Sequence, residues 1–163
     1  MNKNYRFSVK PSDIKAIKEI TESTGFFYDF ETDIAVELIE EAVNKGKESG
    51  YEFIICEVSD IPVAYTCYGS IACTKWSYDL YWIVTHADFR GKGIGKELLK
   101  LTENEILKKG GKNIYIETSS RELYNPTRHF YLSAGYTEIA RLKDFYDDSD
   151  DKVIYFKRLP NEI

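Results

Sequence analysis

A glycine-rich segment, FRGKGIGKELLK (89–100), has the composition of a phosphate-binding loop. Glycines alternate with basic and apolar residues ahead of a leucine-rich helical pattern, in the order Arg90, Gly91, Lys92, Gly93, Ile94, Gly95 and Lys96. Glycine lets the backbone approach a ligand closely, and a helix N-terminus presents unpaired N–H groups and a partial positive charge. These features predict a pyrophosphate site. A plain strand-to-helix turn, in which glycine serves only conformation, is the alternative.

Two familiar phosphate loops are excluded at specific positions. A Walker loop requires G-x-x-x-x-G-K followed by Ser or Thr, whereas Gly91 and Gly95 are one residue too close and Glu97 follows Lys96. The dinucleotide fingerprint G-x-G-x-x-G requires glycine where Lys96 stands. A nucleotide-binding protein is therefore supported only by the general composition of the loop.

The hydrophobic pattern along the chain predicts seven strands and four helices. The predicted strands are 5–9, 51–58, 61–72, 78–86, 112–119, 136–145 and 152–159. The predicted helices are 11–25, 31–50, 93–109 and 125–135. The order is β-α-α-β-β-β-α-β-α-β-β, with hairpins first and helical connections later. We therefore expect an α/β (α+β) fold, in which a central mixed sheet carries helices on both faces.

Composition narrows the class of protein. The 163 residues fit one domain, 1–163, and the net charge of −5 argues against a nucleic-acid partner. Three cysteines without a C-x-x-C pair, Cys56, Cys67 and Cys73, favour a reducing, cytoplasmic location over a disulfide framework. No apolar run is long enough to span a membrane. The acidic segment 147–151 lacks the glycine and terminal glutamate of a calcium loop, so we expect a solvated hairpin turn and no metal site.

Two motifs resemble those of the GNAT superfamily of acyl-CoA-dependent N-acetyltransferases. That family carries R-x-x-G-x-G directly after its central strand, and Arg90, Gly93 and Gly95 stand in this frame. The family's second motif is a helix ending in F-Y-x-x-x-G-F, which is similar to FYLSAGY at 130–136. About forty residues, holding one helix and one strand, separate the two motifs. The resemblance covers residues 50–159, and the first fifty residues match only in element order.

The resemblance implies an N-acetyltransferase that moves an acetyl group from acetyl-CoA directly to a primary amine, in a ternary complex and without a metal. The pyrophosphate of coenzyme A would bind the amides of residues 90–96. The pantetheine arm would pair with the backbone of the central strand, where one N–H polarises the thioester carbonyl; the residues at these positions are Ile83, Val84 and Thr85. Two further cofactor contacts are implied at Asn125 and Tyr131.

Catalytic roles also follow from the resemblance. Tyr131 stands at the family's position for the general acid that protonates the leaving thiolate. Asp79 lies four residues before Ile83, on the same side of its strand, and matches a carboxylate that acts as base in part of the family. Glu117 is a second candidate for the base, and water is a third. The aromatic segment FFYDF (26–30) either lines the acceptor pocket or packs in a core or dimer contact.

A non-catalytic acyl-CoA-binding module with a sensory or regulatory role is the alternative function. It shares every cofactor feature with the enzyme and differs only in lacking the acid and base. For the enzyme, the expected partner is a small-molecule or peptide amine whose identity the sequence leaves open. A homodimer, formed through the sheet edge or the C-terminal strands, is compatible with the sequence.

Overall fold

The computed structural model describes residues 1–160, and every predicted helix and strand is present in the predicted order. The strands are β1 (Lys3–Arg6), β2 (Glu52–Val58), β3 (Ile61–Ser70), β4 (Ser77–Thr85), β5 (Asn113–Ser119), β6 (Thr137–Asp147) and β7 (Asp150–Arg158). The helices are α1 (Asp13–Ser23), α2 (Asp29–Lys45), α3 (Ile94–Lys108) and α4 (Asn125–Ser133).

The seven strands form one mixed sheet in the order β1-β2-β3-β4-β5-β7-β6, which confirms the predicted fold class. β2 and β3 are antiparallel because they join through a tight turn, in which Ser59 and Asp60 both have positive φ, as in a type I′ hairpin turn. β4 and β5 are parallel, since α3 carries the chain back between them. β7 pairs antiparallel with both β5 and β6.

The chain forms two compact parts, which we call the first part (Met1–Gly69 with Leu80–Glu105) and the second part (Ser70–Asp79 with residues 106–160). In the first part, apolar residues of α1 and α2 pack on one face of β2 and β3, in a cluster that includes Ile17, Ile39, Phe53, Ile55 and Tyr65. Ile54 and Thr66 face the other way, and the Thr66 hydroxyl contacts that of Thr102 on α3 at 3.0 Å. Helices therefore cover both faces of this part of the sheet.

The second part has its own buried residues. Ile114 and Ile116 of β5 are buried, as are Val153 and Tyr155 of β7. α4 adds Tyr131, which is 5% exposed. Its ring centroid lies 5.9 Å from that of Tyr155. This packing places the helix that carries the second family motif against the β5–β7 strands.

Several predicted boundaries differ from the structure by a few residues, the first strand among them (5–9 predicted, Lys3–Arg6 observed), and two of the differences have local reasons. Helix α2 ends at Lys45, before residue 50, because Gly46 has a φ of 57° and a short 3₁₀ turn follows. The last hairpin turns at Asp148 and Ser149, and β7 already begins at Asp150. The acidic segment is therefore mostly strand, and only its middle forms the turn.

Candidate cofactor loop and acid–base residues

The glycine loop lies between β4 and α3, as predicted. Gly91 and Gly93 have φ values of 72° and 78°, which lie in the left-handed region that strains residues with a side chain. The Glu97 N–H donates to the Gly93 carbonyl at 3.1 Å, so Gly93 immediately precedes the first turn of α3. The amides of that turn, at Ile94, Gly95 and Lys96, lie ahead of the first helical hydrogen bond. The chain thus presents the N–H groups of a helix N-terminus directly after two left-handed glycines.

The side chains of the loop differ in how they are held. The Arg90 guanidinium lies 4.5 Å from the centroid of the Phe26 ring. Lys92 folds back, where its Nζ donates to the Asp88 carbonyl at 2.9 Å. Lys96 is exposed, whereas the Ile94 side chain is 1% exposed and anchors the helix in the core. Ile94 can therefore offer a ligand only its backbone.

Glu97, in the first turn of α3, was not predicted as a site residue. Its carboxylate accepts hydrogen bonds from the Lys3 ammonium and the Tyr5 hydroxyl. The Lys3 hydrogen bond, followed by that of Tyr5, lowers the pKa of the Glu97 carboxyl below its usual value. An ionised carboxylate beside an anion site would oppose anion binding, and Lys3 offsets this charge. Because β1 is distant in sequence, the pattern around the glycines could not reveal this contact.

The predicted pantetheine-pairing residues lie in the second half of β4. Val84 is buried, while Ile83 and Thr85 are partly exposed. The parallel ladder with β5 covers three residue pairs and ends at Asp79–Tyr115. Among residues 1–160, the β4 residues after Asp79 are not paired with β5 in this ladder. That is the backbone arrangement needed for pairing with an extended ligand.

Both candidate bases lie on one sheet face of the second part. Asp79 is opposite Tyr115 in the ladder, and Glu117 lies two residues after Tyr115, so the two carboxylates face the same way. Partial burial, together with the negative charge of Glu117, raises the pKa of Asp79 to about 6, and the positive charge of Lys152 acts in the opposite direction. The Lys152 ammonium is 2.7 Å from a Glu117 carboxylate oxygen. A perturbed carboxyl pKa is one feature of functional acids and bases, so this shift is consistent with the prediction made for Asp79.

The candidate acid, Tyr131, is in α4. Its ring packs near those of Tyr136 and Tyr155, with centroids 6.0 and 5.9 Å away. Burial raises the pKa of the Tyr131 phenol above its usual value, so the hydroxyl keeps its proton throughout the physiological pH range. A protonated hydroxyl is the form that can donate to a leaving thiolate.

Asn125 is the first residue of α4, and its side-chain oxygen accepts a hydrogen bond from Arg128. The same guanidinium donates to the carbonyls of Ser119 and Arg121, at 2.6 and 2.9 Å. Arg128 therefore ties the start of α4 to the end of β5. The family resemblance suggested the asparagine, one position away from the family's usual spacing, but it did not indicate the arginine that orients it.

The prediction of a solvated turn at 147–151 is wrong for Asp150. This carboxylate is 7% exposed. It accepts hydrogen bonds from the Ser119 hydroxyl and the Ser120 N–H, and lies 3.4 Å from the Arg121 Nε. Asp150 thus fixes the segment between β5 and α4.

Within residues 1–160, no group of three His, Cys, Asp or Glu side chains converges to hold a metal ion.

The aromatic rings of segment 26–30 differ in their surroundings. Phe27 packs against Trp82, with ring centroids 5.0 Å apart. Tyr28 and Phe30 stack on each other, with ring centroids 5.4 Å apart, and are both exposed.

Among residues 1–160, no helix is both long and apolar enough to cross a membrane.

Comparisons with known proteins give the family. A family model for the acetyltransferase (GNAT) domain matches residues 49–138. A solved structure from Desulfovibrio desulfuricans, assigned to the GNAT family, is 37% identical with a TM-score of 0.96, and the match covers 98% of this chain and 100% of that one. The chain therefore belongs to the GNAT acetyltransferase family.

Two further proteins are similar. An uncharacterized N-acetyltransferase of Methanocaldococcus jannaschii is 36% identical over 72 residues, which are 44% of this chain and 46% of that protein. The match thus spans about half of that relative. A Salmonella typhimurium structure containing acetyl-CoA is 18% identical with a TM-score of 0.76, covering 100% of this chain and 97% of that one. At 18% identity, the similarity to the Salmonella structure establishes the fold alone.

Proposed function

We propose that this chain, as a single domain of residues 1–163, is an N-acetyltransferase that moves an acetyl group from acetyl-CoA directly to a primary amine in a ternary complex. The main support is the loop after β4, where two left-handed glycines precede the first turn of a helix in a GNAT family chain. Acetyl-CoA would supply the activated thioester. The chain would bind it, orient it and move two protons.

The loop would bind the pyrophosphate of coenzyme A. The amides of the first turn of α3, together with those of residues 91–93, offer N–H donors and the positive end of the helix dipole, whereas the Arg90 N–H donates to the Ala87 carbonyl at 3.4 Å. Arg90 adds a cation whose position is held by Phe26, and Lys92 and Lys96 add positive charge. Asn125, oriented by Arg128, is proposed as a further contact.

The backbone of Ile83, Val84 and Thr85 would pair with the pantetheine arm. An N–H group in this run would donate to the thioester carbonyl oxygen and stabilise the negative charge that develops there. This arrangement needs no side-chain chemistry from the strand. It therefore tolerates the side chains found at these positions, two of which are apolar.

Asp79 and Tyr131 would move the protons. Asp79 accepts the proton that the amine loses as the nitrogen–carbon bond forms, and its pKa of about 6 leaves it ionised at neutral pH. Tyr131 donates its hydroxyl proton to the sulfur as the carbon–sulfur bond breaks. A free thiol has a pKa of about 8.5, so this donation is a modest contribution to the rate. Glu117 is placed on the same face and is the second candidate for the base.

The first experiment is a thermal shift with acetyl-CoA, CoA, ATP and NAD in parallel. A ligand at about 100 times its Kd adds roughly 2.7 kcal/mol to the free energy of unfolding, which for a chain of this size raises Tm by about 5–10 °C. We expect a rise with both CoA species and none with ATP or NAD. No rise with any of the four would remove the basis for the proposed activity.

The second experiment separates an enzyme from a binding module. Thiol release from acetyl-CoA is followed with a panel of primary amines and with buffer alone. Amine-dependent release that falls in Tyr131→Phe, with CoA affinity unchanged, is expected for the enzyme. Binding of CoA without release for any amine would favour the non-catalytic module.

A further inference from the structure

Lys152, on β7, is a cation that is largely withdrawn from water and held by several neighbours. Its side chain is only 14% exposed, and its Nζ lies 2.7 Å from a Glu117 carboxylate oxygen. The same ammonium lies 3.8 Å from the centroid of the Phe145 ring and 5.9 Å from that of Tyr146. A lysine that is ion-paired and also shielded by aromatic rings has a defined position, unlike most surface lysines.

The strand registers place Lys152 on the face that carries the two carboxylates. Ser119 of β5 is opposite Lys152, and Glu117 is opposite Ile154. Because side chains alternate along a strand, residues 117, 119, 152 and 154 face one side of the sheet. Asp79 joins that side through its pairing with Tyr115. Lys152, Glu117 and Asp79 therefore form a charged group on three neighbouring strands, which we call the acid–lysine cluster.

The charges that act on Asp79 come from both other members of this cluster. Burial and the Glu117 carboxylate favour the protonated form of Asp79, whereas the Lys152 ammonium favours the ionised form. The Lys152–Glu117 ion pair therefore does two things. It fixes the position of the glutamate side chain, and it offsets the negative charge beside Asp79.

We propose that Lys152 is a positioning residue for the acetyl transfer, which holds Glu117 in place and offsets its charge beside Asp79, the group that accepts the proton of the acceptor amine. The inference rests on the proposed function, in which Asp79 is the base. It assigns Lys152 no contact with either substrate. A purely structural lysine would stabilise the β6–β7 hairpin and leave the proton affinity of Asp79 unchanged.

The test uses the full chain with the substitutions Lys152→Met, Lys152→Arg and Glu117→Gln. The Asp79 carboxyl carbon is titrated by NMR in the free protein, with Asp79→Asn identifying its signal. The pH dependence of kcat/KM is measured on the same variants. We expect Lys152→Met to raise the pKa of Asp79 and the acid limb of the profile by about 0.5–1 pH unit. We expect Glu117→Gln to lower both by a similar amount, and Lys152→Arg to leave both near the wild-type values.

A second variant keeps the test valid if Lys152→Met does not fold. Phe145 is 51% exposed, so Phe145→Leu removes the ring over Lys152 without opening a core cavity. Without the ring, the Lys152 ammonium is held less firmly. The pKa of Asp79 should therefore rise, by less than in Lys152→Met.

The two readouts distinguish failure of this inference from failure of the proposed function. An Asp79 pKa that stays unchanged in Lys152→Met and Phe145→Leu overturns the role of Lys152, whatever the activity. A shifted Asp79 pKa with an unmoved acid limb shows that Lys152 controls the charge of Asp79. In that case Asp79 is not the base.

Discussion

Replacing Asp79 with asparagine should make the protein more stable and much less active. The pKa of Asp79 is raised from 3.8 to about 6, chiefly by burial and then by Glu117, so the fold disfavours the ionised carboxylate. The folded protein therefore binds more protons than the unfolded chain between these pH values, and stability falls as pH rises through this window. Asparagine has nearly the same shape and carries no charge, so it avoids this cost.

The size of the effect follows from the shift. About two pH units correspond to roughly 3 kcal/mol at most, and because Asp79 is only partly buried we reduce this to about 1 kcal/mol for solvent screening. For a chain of this length, that raises Tm by about 2–4 °C. The gain should be full above about pH 7 and should vanish below about pH 3.8, where the wild-type carboxyl is protonated in both the folded and the unfolded protein. Turnover should fall by about 10²–10⁴-fold, the usual contribution of a general base.

The assay is a Tm measurement of both proteins from about pH 3.5 to 8, alongside thiol-release kinetics. Asp33→Asn is the matched control, because Asp33 is exposed on α2 and its replacement should change stability by less than about 0.5 kcal/mol. An Asp79→Asn protein that is no more stable than wild type at pH 7.5 would refute the electrostatic reasoning. A more stable variant with unchanged turnover would instead remove Asp79 from the mechanism.

Three further predictions concern the cofactor loop and the acid. Gly93→Ala should weaken CoA binding, measured by calorimetry, and should destabilise the fold by roughly 1–2 kcal/mol, because Gly93 has a positive φ. The control is Gly110→Ala, at a φ of 80°, which should destabilise the fold by a similar amount and leave the affinity for CoA unchanged. Equal losses of affinity in the two variants would mean that the loop is not the site. Tyr131→Phe should lower kcat by only about 10–100-fold, because a thiolate leaves readily even without a proton donor. The Kd for CoA should be unchanged when it is measured by calorimetry. A raised Kd at constant kcat would make Tyr131 a binding residue only. Phe26→Leu should raise the Kd for CoA by about 2–5-fold, which corresponds to the loss of an exposed cation–π contact. The control Phe26→Tyr keeps an aromatic ring and should leave the Kd unchanged. An unchanged Kd in both variants would show that Arg90 does not need the ring to hold its position.

Sequence pattern predicted the elements and their order because each depends on neighbours within the same segment. Strand alternation, helical periodicity and the turn residues located all eleven helices and strands. Element ends were less accurate. Gly46 ends α2 early through its positive φ, and a pattern that continues to residue 50 does not reveal this.

Spacing along the chain also indicated the candidate site residues, since a motif such as R-x-x-G-x-G is a local feature of one loop. Other charged residues near these positions are held by partners that are distant in sequence. Glu97 is bound by Lys3 and Tyr5 of β1, and Asp150 reaches back to Ser119. Both pairings depend on strand register, which no single segment determines.

The sequence by itself determined the family motifs, the order of elements and the position of the glycine loop between a strand and a helix. Only the tertiary structure decided that Lys152 pairs with Glu117 and acts on Asp79. The physical reason is that burial and Coulomb interactions depend on distances across three strands. These distances exist only once the sheet has formed.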